Sequence, residues 1–131
     1  MKIYLLSALV FFIVITLIDA VWLYFTVAKF YKAHLSHLWR SELSYYPAII
    51  FYILYALGVA VVIVAPSIEH SYSYIRVALM GGFFGMAAYS AYNLTNYATM
   101  NGWPIIVVIV DTTWGTLVTA LSAVITYKLL K

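Results

Sequence analysis

The chain has 131 residues, of which 66% are hydrophobic and only 8% are charged, and its formal net charge is +3. A soluble domain carries about 25% charged residues, so these side chains could not cover a water-facing surface and a membrane protein is expected. The small, dispersed positive charge argues against nucleic-acid binding, and the absence of cysteine excludes disulfides and thiolate metal sites.

The first predicted element is a transmembrane helix at about residues 3–27. Its start, MKIYLLSALVFFIVITLIDAVW, has the lysine and the apolar run of a cleavable signal peptide. The run continues through Trp22 and Phe25 without a break and is longer than the apolar segment of such a signal. We therefore predict a helix that is retained in the membrane.

Residues 28–46, AKFYKAHLSHLWRSELSYY, form the only long connection that the sequence predicts. Side chains with apolar bodies recur in it at helical spacing, at Tyr31, Leu35, Leu38 and Trp39. This pattern predicts a short helix lying on the membrane surface. The histidines of the segment are expected on its solvated face, and we predict no metal site and no cofactor.

Three further transmembrane helices are predicted, at about residues 47–65, 74–96 and 104–127. The second begins at Pro47, a favourable first-turn residue, and the third is the least apolar. Because unpaired backbone cannot cross lipid, the helices are expected to pack together. The predicted fold is an all-α integral membrane protein, a single domain over residues 1–131, with four transmembrane helices in a bundle and a short interfacial helix in the first loop.

Four crossings would place both termini on the same side of the membrane. Lysine and arginine are slightly more frequent on that side (Lys2, Arg76, Lys128, Lys131) than in the first loop (Lys29, Lys32, Arg40). Because connections rich in these residues stay in the cytoplasm, the distribution favours cytoplasmic N- and C-termini.

Two aspartates fall inside predicted helices at similar depth. Asp19 precedes Lys29 by ten residues, which is about 15 Å of helix, and Asp111 follows Pro104 by seven residues, which is about 10 Å. Helix one ends, and helix four begins, on the same side of the membrane. The two carboxylates are therefore expected in one leaflet.

Other polar side chains are predicted at the same level. On the third helix, Tyr89, Asn93 and Asn96 follow the spacing of one helix face. The opposite half of the bundle is predicted to be almost entirely aliphatic, apart from Ser7 and Thr119. The predicted ligand-binding residues are Asp19, Trp22, Tyr52, Tyr55, Tyr89, Tyr92, Asn93, Asn96, Asp111 and Trp114.

An aspartate near the middle of a membrane costs about 2.5–3.5 kcal/mol, so two of them indicate a functional pocket. Burial and mutual repulsion disfavour ionisation, and we expect at least one to carry a proton near neutral pH. In the alternative, each aspartate only bonds a neighbouring helix and fixes packing. Trp22 and Trp114, three residues after the aspartates, are expected to form a pocket wall or, alternatively, to lie in the interfacial aromatic belt.

Gly81 and Gly85 form a pair of small residues one helical turn apart. Such a pair allows two helices to approach closely. The pair predicts close packing inside the bundle and, as the second option, a homodimer contact.

Four segments carry a family resemblance: IDAVWL, YYPAIIFYILYALGV, YNLTNYATMNGWP and VDTTWGT. Together they resemble the uncharacterised bacterial membrane protein family named domain of unknown function 2177, over essentially the whole chain. The resemblance implies a four-helix protein of a bacterial inner membrane and implies no activity. The matching motif positions are Asp19, Trp22, Tyr92, Asn93, Thr95, Asn96, Asp111, Trp114 and Gly115.

Three functions are compatible with these features. The first is binding or transport of a small or lipid-like ligand, with an option of linkage to proton movement. The second is a membrane-embedded enzyme that modifies a lipid or prenyl substrate, with Asp19 and Asp111 as catalytic acid and base. The third is a small structural subunit of a larger membrane complex. The expected partners are the lipid bilayer and the ligand, with a homodimer as an option.

Overall fold

The computed structural model covers residues 1–131, and every regular element in it is helical. We name the four long helices α1 (Lys2–His34), α2 (Tyr46–Glu69), α3 (Tyr74–Thr99) and α4 (Ile105–Leu130). A short 3-10 turn, Ser36–Leu38, lies in the connection between α1 and α2.

Both α1 and α2 are interrupted by a π-helical turn. In α1 the α-helix Lys2–Thr26 passes into the π turn Val27–Tyr31 and then into the α turn Lys32–His34. In α2 the π turn is Ala60–Val64, between Tyr46–Val59 and Ala65–Glu69. Each π turn holds one more residue than an α turn, which shifts the helix face presented by all later residues.

The connection after α1 differs from the separate surface helix that the pattern predicted. Its first residues continue α1 to His34, and only Ser36–Leu38 forms a turn of its own. Leu35 is buried against Trp103 rather than lying on an exposed surface. The physical reason is that continuing α1 buries this apolar side chain against the start of α4, which a separate helix on the membrane surface would leave in contact with lipid.

Residues at the helix ends explain where α2 and α3 begin and how the chain turns before α4. Pro47 occupies the first turn of α2, where its missing N–H costs nothing. The Ser73 hydroxyl accepts a hydrogen bond from the Arg76 backbone N–H at 3.3 Å and caps α3. Gly102 has a φ of +78° in the turn between α3 and α4, a conformation that favours glycine.

The closest helix pair is α3 with α4, and glycines make it possible. A Cβ on Gly85 would lie 2.3 Å from the Gly115 carbonyl oxygen, and one on Gly81 would lie 3.1 Å from the Ala120 Cα. Gly81 and Gly85 are both buried. The pair therefore serves packing within the chain, and the optional homodimer contact through this surface is excluded because α4 covers it.

Hydrogen bonds between helix ends show which ends lie together. The Tyr4 hydroxyl donates to Glu69 at 3.3 Å, and the Tyr127 hydroxyl donates to the Tyr72 carbonyl at 2.6 Å. The start of α1 and the end of α4 thus lie at the same end of the molecule. At the other end, His37 Nε2 lies 2.9 Å from the Gly102 carbonyl oxygen and joins the first and third connections.

The half of the molecule nearer the termini contains the main core. It includes Phe11, Ile15, Val59, Ile63, Val77, Val118 and Tyr127, all almost fully buried. It buries the two hydroxyl residues expected there, Ser7 and Thr119, and, contrary to the expectation of an otherwise aliphatic half, three more, namely Ser67, Ser122 and Thr126. Small hydroxyl residues allow close helix approach, which explains their place in this core.

Three of the four helices, α1, α2 and α4, are long and apolar enough to cross a membrane. The 26-residue α3 has the length but not the apolarity, because its second half carries serine, threonine and asparagine. Large hydrophobic side chains such as Leu17, Leu54 and Leu79 cover the outer surface and are more than 60% exposed. An apolar surface of this extent suits a helical membrane protein.

Candidate functional site

Asp19 of α1 and Asp111 of α4 line one cavity of about 240 Å³. Asp19 is only 6% exposed, and Asp111 is half-buried. The helices that carry them come from opposite ends of the sequence and pack directly against each other. The structure therefore brings the two aspartates into one space.

Asp19 accepts two hydrogen bonds from aromatic side chains on two different helices. The Trp114 indole N–H donates to its Oδ1 at 2.8 Å, and the Tyr52 hydroxyl donates to its Oδ2. Hydrogen bonds to a carboxylate are stronger than bonds between neutral groups. Asp19 thus ties α1 to both α2 and α4.

Asp111 also accepts two hydrogen bonds. The Tyr31 hydroxyl donates to its Oδ1 at 2.6 Å, and the Asn93 amide donates to its Oδ2 at 2.7 Å. The same Asn93 nitrogen donates to the Tyr89 carbonyl at 3.0 Å, which fixes the orientation of the amide. Asn93 is fully buried and reaches Asp111 from α3.

Trp22 connects the surroundings of the two aspartates. Its indole N–H donates to the Tyr31 hydroxyl at 3.1 Å, and Tyr31 in turn donates to Asp111. Its ring stacks on Trp114, the donor to Asp19, with ring centroids 4.2 Å apart and an interplanar angle of 6°. The stacked pair forms a wall of the cavity, as one of the two predictions for these residues proposed.

The remaining lining of the cavity is aromatic and aliphatic. It contains all four tryptophans of the chain and no lysine, arginine or histidine. The lining residues are Asp19, Trp22, Leu23, Val27, Tyr31, Leu35, Trp39, Tyr52, Tyr89, Tyr92, Trp103, Val107, Asp111 and Trp114. The two carboxylates thus have neutral hydrogen-bond donors around them and no cationic partner.

Seven of the ten predicted site residues line this cavity, and an eighth, Asn93, contacts Asp111 from behind it. Two predicted residues lie elsewhere. Tyr55 is buried deeper, where its hydroxyl shares a hydrogen bond of 2.7 Å with Thr119. Asn96 is half-buried and is not part of the lining. Because Tyr55 lies almost one helical turn beyond Tyr52 on nearly the same face, its side chain lies deeper in the bundle, beside Thr119 of α4.

Tyr31 is the most important site residue that the sequence pattern did not predict. An uninterrupted α-helix would place residue 30 on the face of Asp19 and Trp22, because residues 11 apart complete about three turns. The π turn Val27–Tyr31 adds one residue and brings Tyr31 to that face instead. Nothing in the sequence alone identifies this turn.

The first connection closes one end of the cavity. Leu35 and Trp39 from that connection line the cavity together with Trp103, which precedes α4. The contact between His37 and Gly102 holds these two connections together. This end is therefore covered by side chains rather than open to the outside.

A second cavity of about 320 Å³ adjoins the first on the side between α2 and α3. It is lined by Phe51 and Ala88 and shares Tyr89, Tyr92 and Asp111 with the first. Further along the same two helices lies an apolar groove of about 650 Å³, lined by residues such as Val62, Leu79 and Phe83. The site therefore continues sideways towards the apolar outer surface.

A family model described as "Predicted membrane protein (DUF2177)" matches residues 2–128. No curated protein and no solved structure matches the chain.

Proposed function

This chain belongs to the DUF2177 family of predicted membrane proteins, as its motifs indicated, and on that premise we propose that it binds a small or lipid-like ligand in the cavity between Asp19 and Asp111. One observation carries the proposal: two carboxylates from distant parts of the chain line one cavity together with eight aromatic side chains. Ligand sites are typically apolar and aromatic cavities with a few convergent polar groups.

The cavity favours binding over a purely structural role for the aspartates. A carboxylate inside a membrane is costly, and side chains that only fix packing are best enclosed without empty space around them. Here both carboxylates border an open volume of about 240 Å³. A ligand in that volume would supply the interactions that the protein leaves incomplete.

The proposal includes a fourth transmembrane crossing by α3 in a bacterial inner membrane, with both termini in the cytoplasm. Packing supports the crossing, because α3 runs along α4 through buried glycines over several turns. The polar Asn93 contacts Asp111 instead of lipid. The exposed Thr95 and Thr99 hydroxyls donate to backbone carbonyls of the same helix, and a helix whose polar groups are paired in these ways can cross a membrane despite its modest apolarity.

Binding is a better description than transport for this arrangement. The cavity is covered at one end by Leu35, Trp39 and Trp103, and it continues sideways between α2 and α3. A carrier needs access from both sides of the membrane in alternation. The lateral route between α2 and α3 supports a site that a ligand enters from the bilayer.

The proposal is tested by identifying what the purified protein carries. Wild type, Asp19→Asn and Asp111→Asn are purified from membranes in a maltoside detergent, with Glu42→Gln, an exposed acid in the first connection, as the matched control. Small molecules are extracted and compared by mass spectrometry, after circular dichroism has shown equal helix content.

We expect one compound that wild type and Glu42→Gln carry equally, and that both aspartate variants lose by about tenfold or more, equivalent to about 1.4 kcal/mol. If all four proteins carry the same compounds in the same amounts, the cavity is not a ligand site that depends on these carboxylates.

A further inference from the structure

The charge balance of the cavity is incomplete. Asp19 and Asp111 each accept two hydrogen bonds, all from neutral tyrosine, tryptophan or asparagine donors. A carboxylate offers about four acceptor positions, so each retains capacity for further donors. Buried charges in proteins are normally paired, and the cavity lining contains no cationic side chain to do so. The partner that fits this gap is a cation brought by the ligand.

The aromatic side chains that line the cavity also favour binding of a cation. Tryptophan faces attract cations more strongly than other aromatic faces, and aromatic cages are a common way to bind substituted ammonium groups. All four tryptophans and four tyrosines line this one cavity. Trp103 and Tyr92 meet edge to face, with ring centroids 5.5 Å apart. Trp22 and Trp114, by contrast, stack face to face. Most of the cavity wall is therefore formed by aromatic rings, the kind of surface that binds ammonium groups.

Trp103 supplies a second, independent observation. It lines the cavity, is only 8% exposed, and its indole N–H has no hydrogen-bond partner in the protein. A buried N–H without a partner costs about 1–3 kcal/mol. The N–H is itself buried, so a ligand oxygen would satisfy it after a small rotation of the Trp103 side chain towards the cavity. The missing partners are thus a positive charge for the aspartates and an acceptor oxygen for Trp103.

We propose that the ligand is an amino alcohol or its ester, an organic ammonium ion with an oxygen close to the charged nitrogen. This inference rests on the proposed binding function and names its ligand class. The ammonium group lies between the carboxylates and the aromatic walls, and the oxygen accepts from Trp103. Two sources share this chemistry: a free amino alcohol, and the head group of a lipid whose tails would lie in the groove between α2 and α3.

Choline and its uncharged analogue 3,3-dimethylbutan-1-ol are the probes, because they share shape and hydroxyl group and differ in charge. Binding is measured in maltoside micelles by tryptophan emission, which reports on this cavity since every tryptophan lines it. Calorimetry gives the same affinities independently. We expect saturable choline binding that is about tenfold or more tighter than binding of the analogue, or about 1.4 kcal/mol.

Variants of the cavity residues distinguish recognition of the ligand's charge from recognition of its shape. Asp19→Asn and Asp111→Asn should each weaken choline binding by about tenfold or more and leave the analogue unaffected, whereas Glu42→Gln should change neither. Asp111→Glu, which keeps the charge, should retain more choline affinity than Asp111→Asn. Trp103→Phe, followed by calorimetry, should abolish the preference for choline over tetramethylammonium, which lacks the hydroxyl.

Equal affinity for choline and its analogue, or choline binding that both Asp→Asn variants retain, would overturn the inference. If a compound still co-purifies in an aspartate-dependent way while choline fails to bind, the proposed function stands and the ligand class is wrong. If no compound co-purifies in an aspartate-dependent way and choline does not bind, the proposed function and the proposed ligand class are both wrong.

Two further titrations show whether the ligand is a free amino alcohol or the head group of a lipid. Choline is titrated against the protein in nanodiscs of phosphatidylglycerol alone, which has no ammonium group, and in nanodiscs that also contain phosphatidylcholine. A lipid source predicts that phosphatidylcholine weakens choline binding by competition, and a free amino alcohol predicts equal affinity in both.

Discussion

At the scale of single residues, Tyr31 connects the two halves of the site. Its hydroxyl accepts from the Trp22 indole at 3.1 Å and donates to Asp111 at 2.6 Å. Because an indole N–H can only donate, the hydroxyl proton is directed to the carboxylate. Removing this hydroxyl leaves one donor and one carboxylate oxygen without a partner.

Tyr31→Phe is therefore expected to destabilise the protein by about 1–3 kcal/mol, the cost of an unsatisfied buried group that had bonded a charge. Thermal unfolding in detergent micelles, followed by far-ultraviolet circular dichroism, measures the change. Tyr24→Phe is the matched control, because Tyr24 lies on the same helix and is 83% exposed. Equal stability of the two variants would show that the Tyr31 bonds contribute nothing.

The stacked indoles give a second prediction at this scale. Two nearly parallel rings 4.2 Å apart couple electronically, so wild type should show an exciton band in its circular dichroism spectrum. Trp22→Phe and Trp114→Phe should each abolish the band. Trp39→Phe should leave it intact, because Trp39 lines the cavity without belonging to the stack. A band that survives in Trp22→Phe would place the two rings apart.

At the scale of helices, the approach of α3 to α4 depends on glycines at which no side chain fits. A Cβ on Gly85 would lie 2.3 Å from the Gly115 carbonyl oxygen and 2.6 Å from the Thr119 hydroxyl. A Cβ on Gly115 would lie 2.0 Å from the Tyr89 ring. This close approach also holds Asn93 near Asp111, so packing and site geometry are linked.

Gly85→Ala should destabilise the protein by about 1–3 kcal/mol or more, the cost of overpacking against backbone that cannot move aside. Gly58→Ala is the control, since its added Cβ would make an ordinary contact of 3.4 Å with the Phe84 ring. Thermal unfolding in micelles compares the two. Similar unfolding temperatures would contradict the close packing of α3 and α4.

The sequence predicted four long helices and the meeting of Asp19 with Asp111, because hydrophobic length and depth along a helix follow from residue counts. It did not predict Tyr31, since a single added residue in a π turn changes which face a side chain occupies. It also placed Tyr55 at the site, although one turn of helix carries that side chain into the core beside Thr119. The helix face that a side chain occupies, and the place where a π turn forms, depend on packing between helices. Residue counts along the chain do not reveal that packing.

At the scale of the whole molecule, the proposed four-helix topology requires that α3 cross the membrane. Asn93 in its polar second half is buried against Asp111 of α4, and under this topology the turns at residues 42 and 101 would lie on the opposite side from residues 70 and 131. The chain has no cysteine, so single cysteines can be introduced without background.

In intact cells, a membrane-impermeant maleimide should label Glu42→Cys and Asn101→Cys. His70→Cys and Lys131→Cys should be labelled only after the membrane is permeabilised, because both are expected in the cytoplasm. Labelling of Asn101→Cys and His70→Cys from the same side would show that α3 does not cross.

The most direct test of a single site shared by Asp19 and Asp111 is native mass spectrometry of protein released from its own membrane. Wild type should carry one bound molecule per chain, and Asp19→Asn and Asp111→Asn should each reduce the occupancy of that same mass by about tenfold or more. The double variant should carry none. A bound mass that both single variants retain, or two different masses of which each variant loses one, would contradict the shared site.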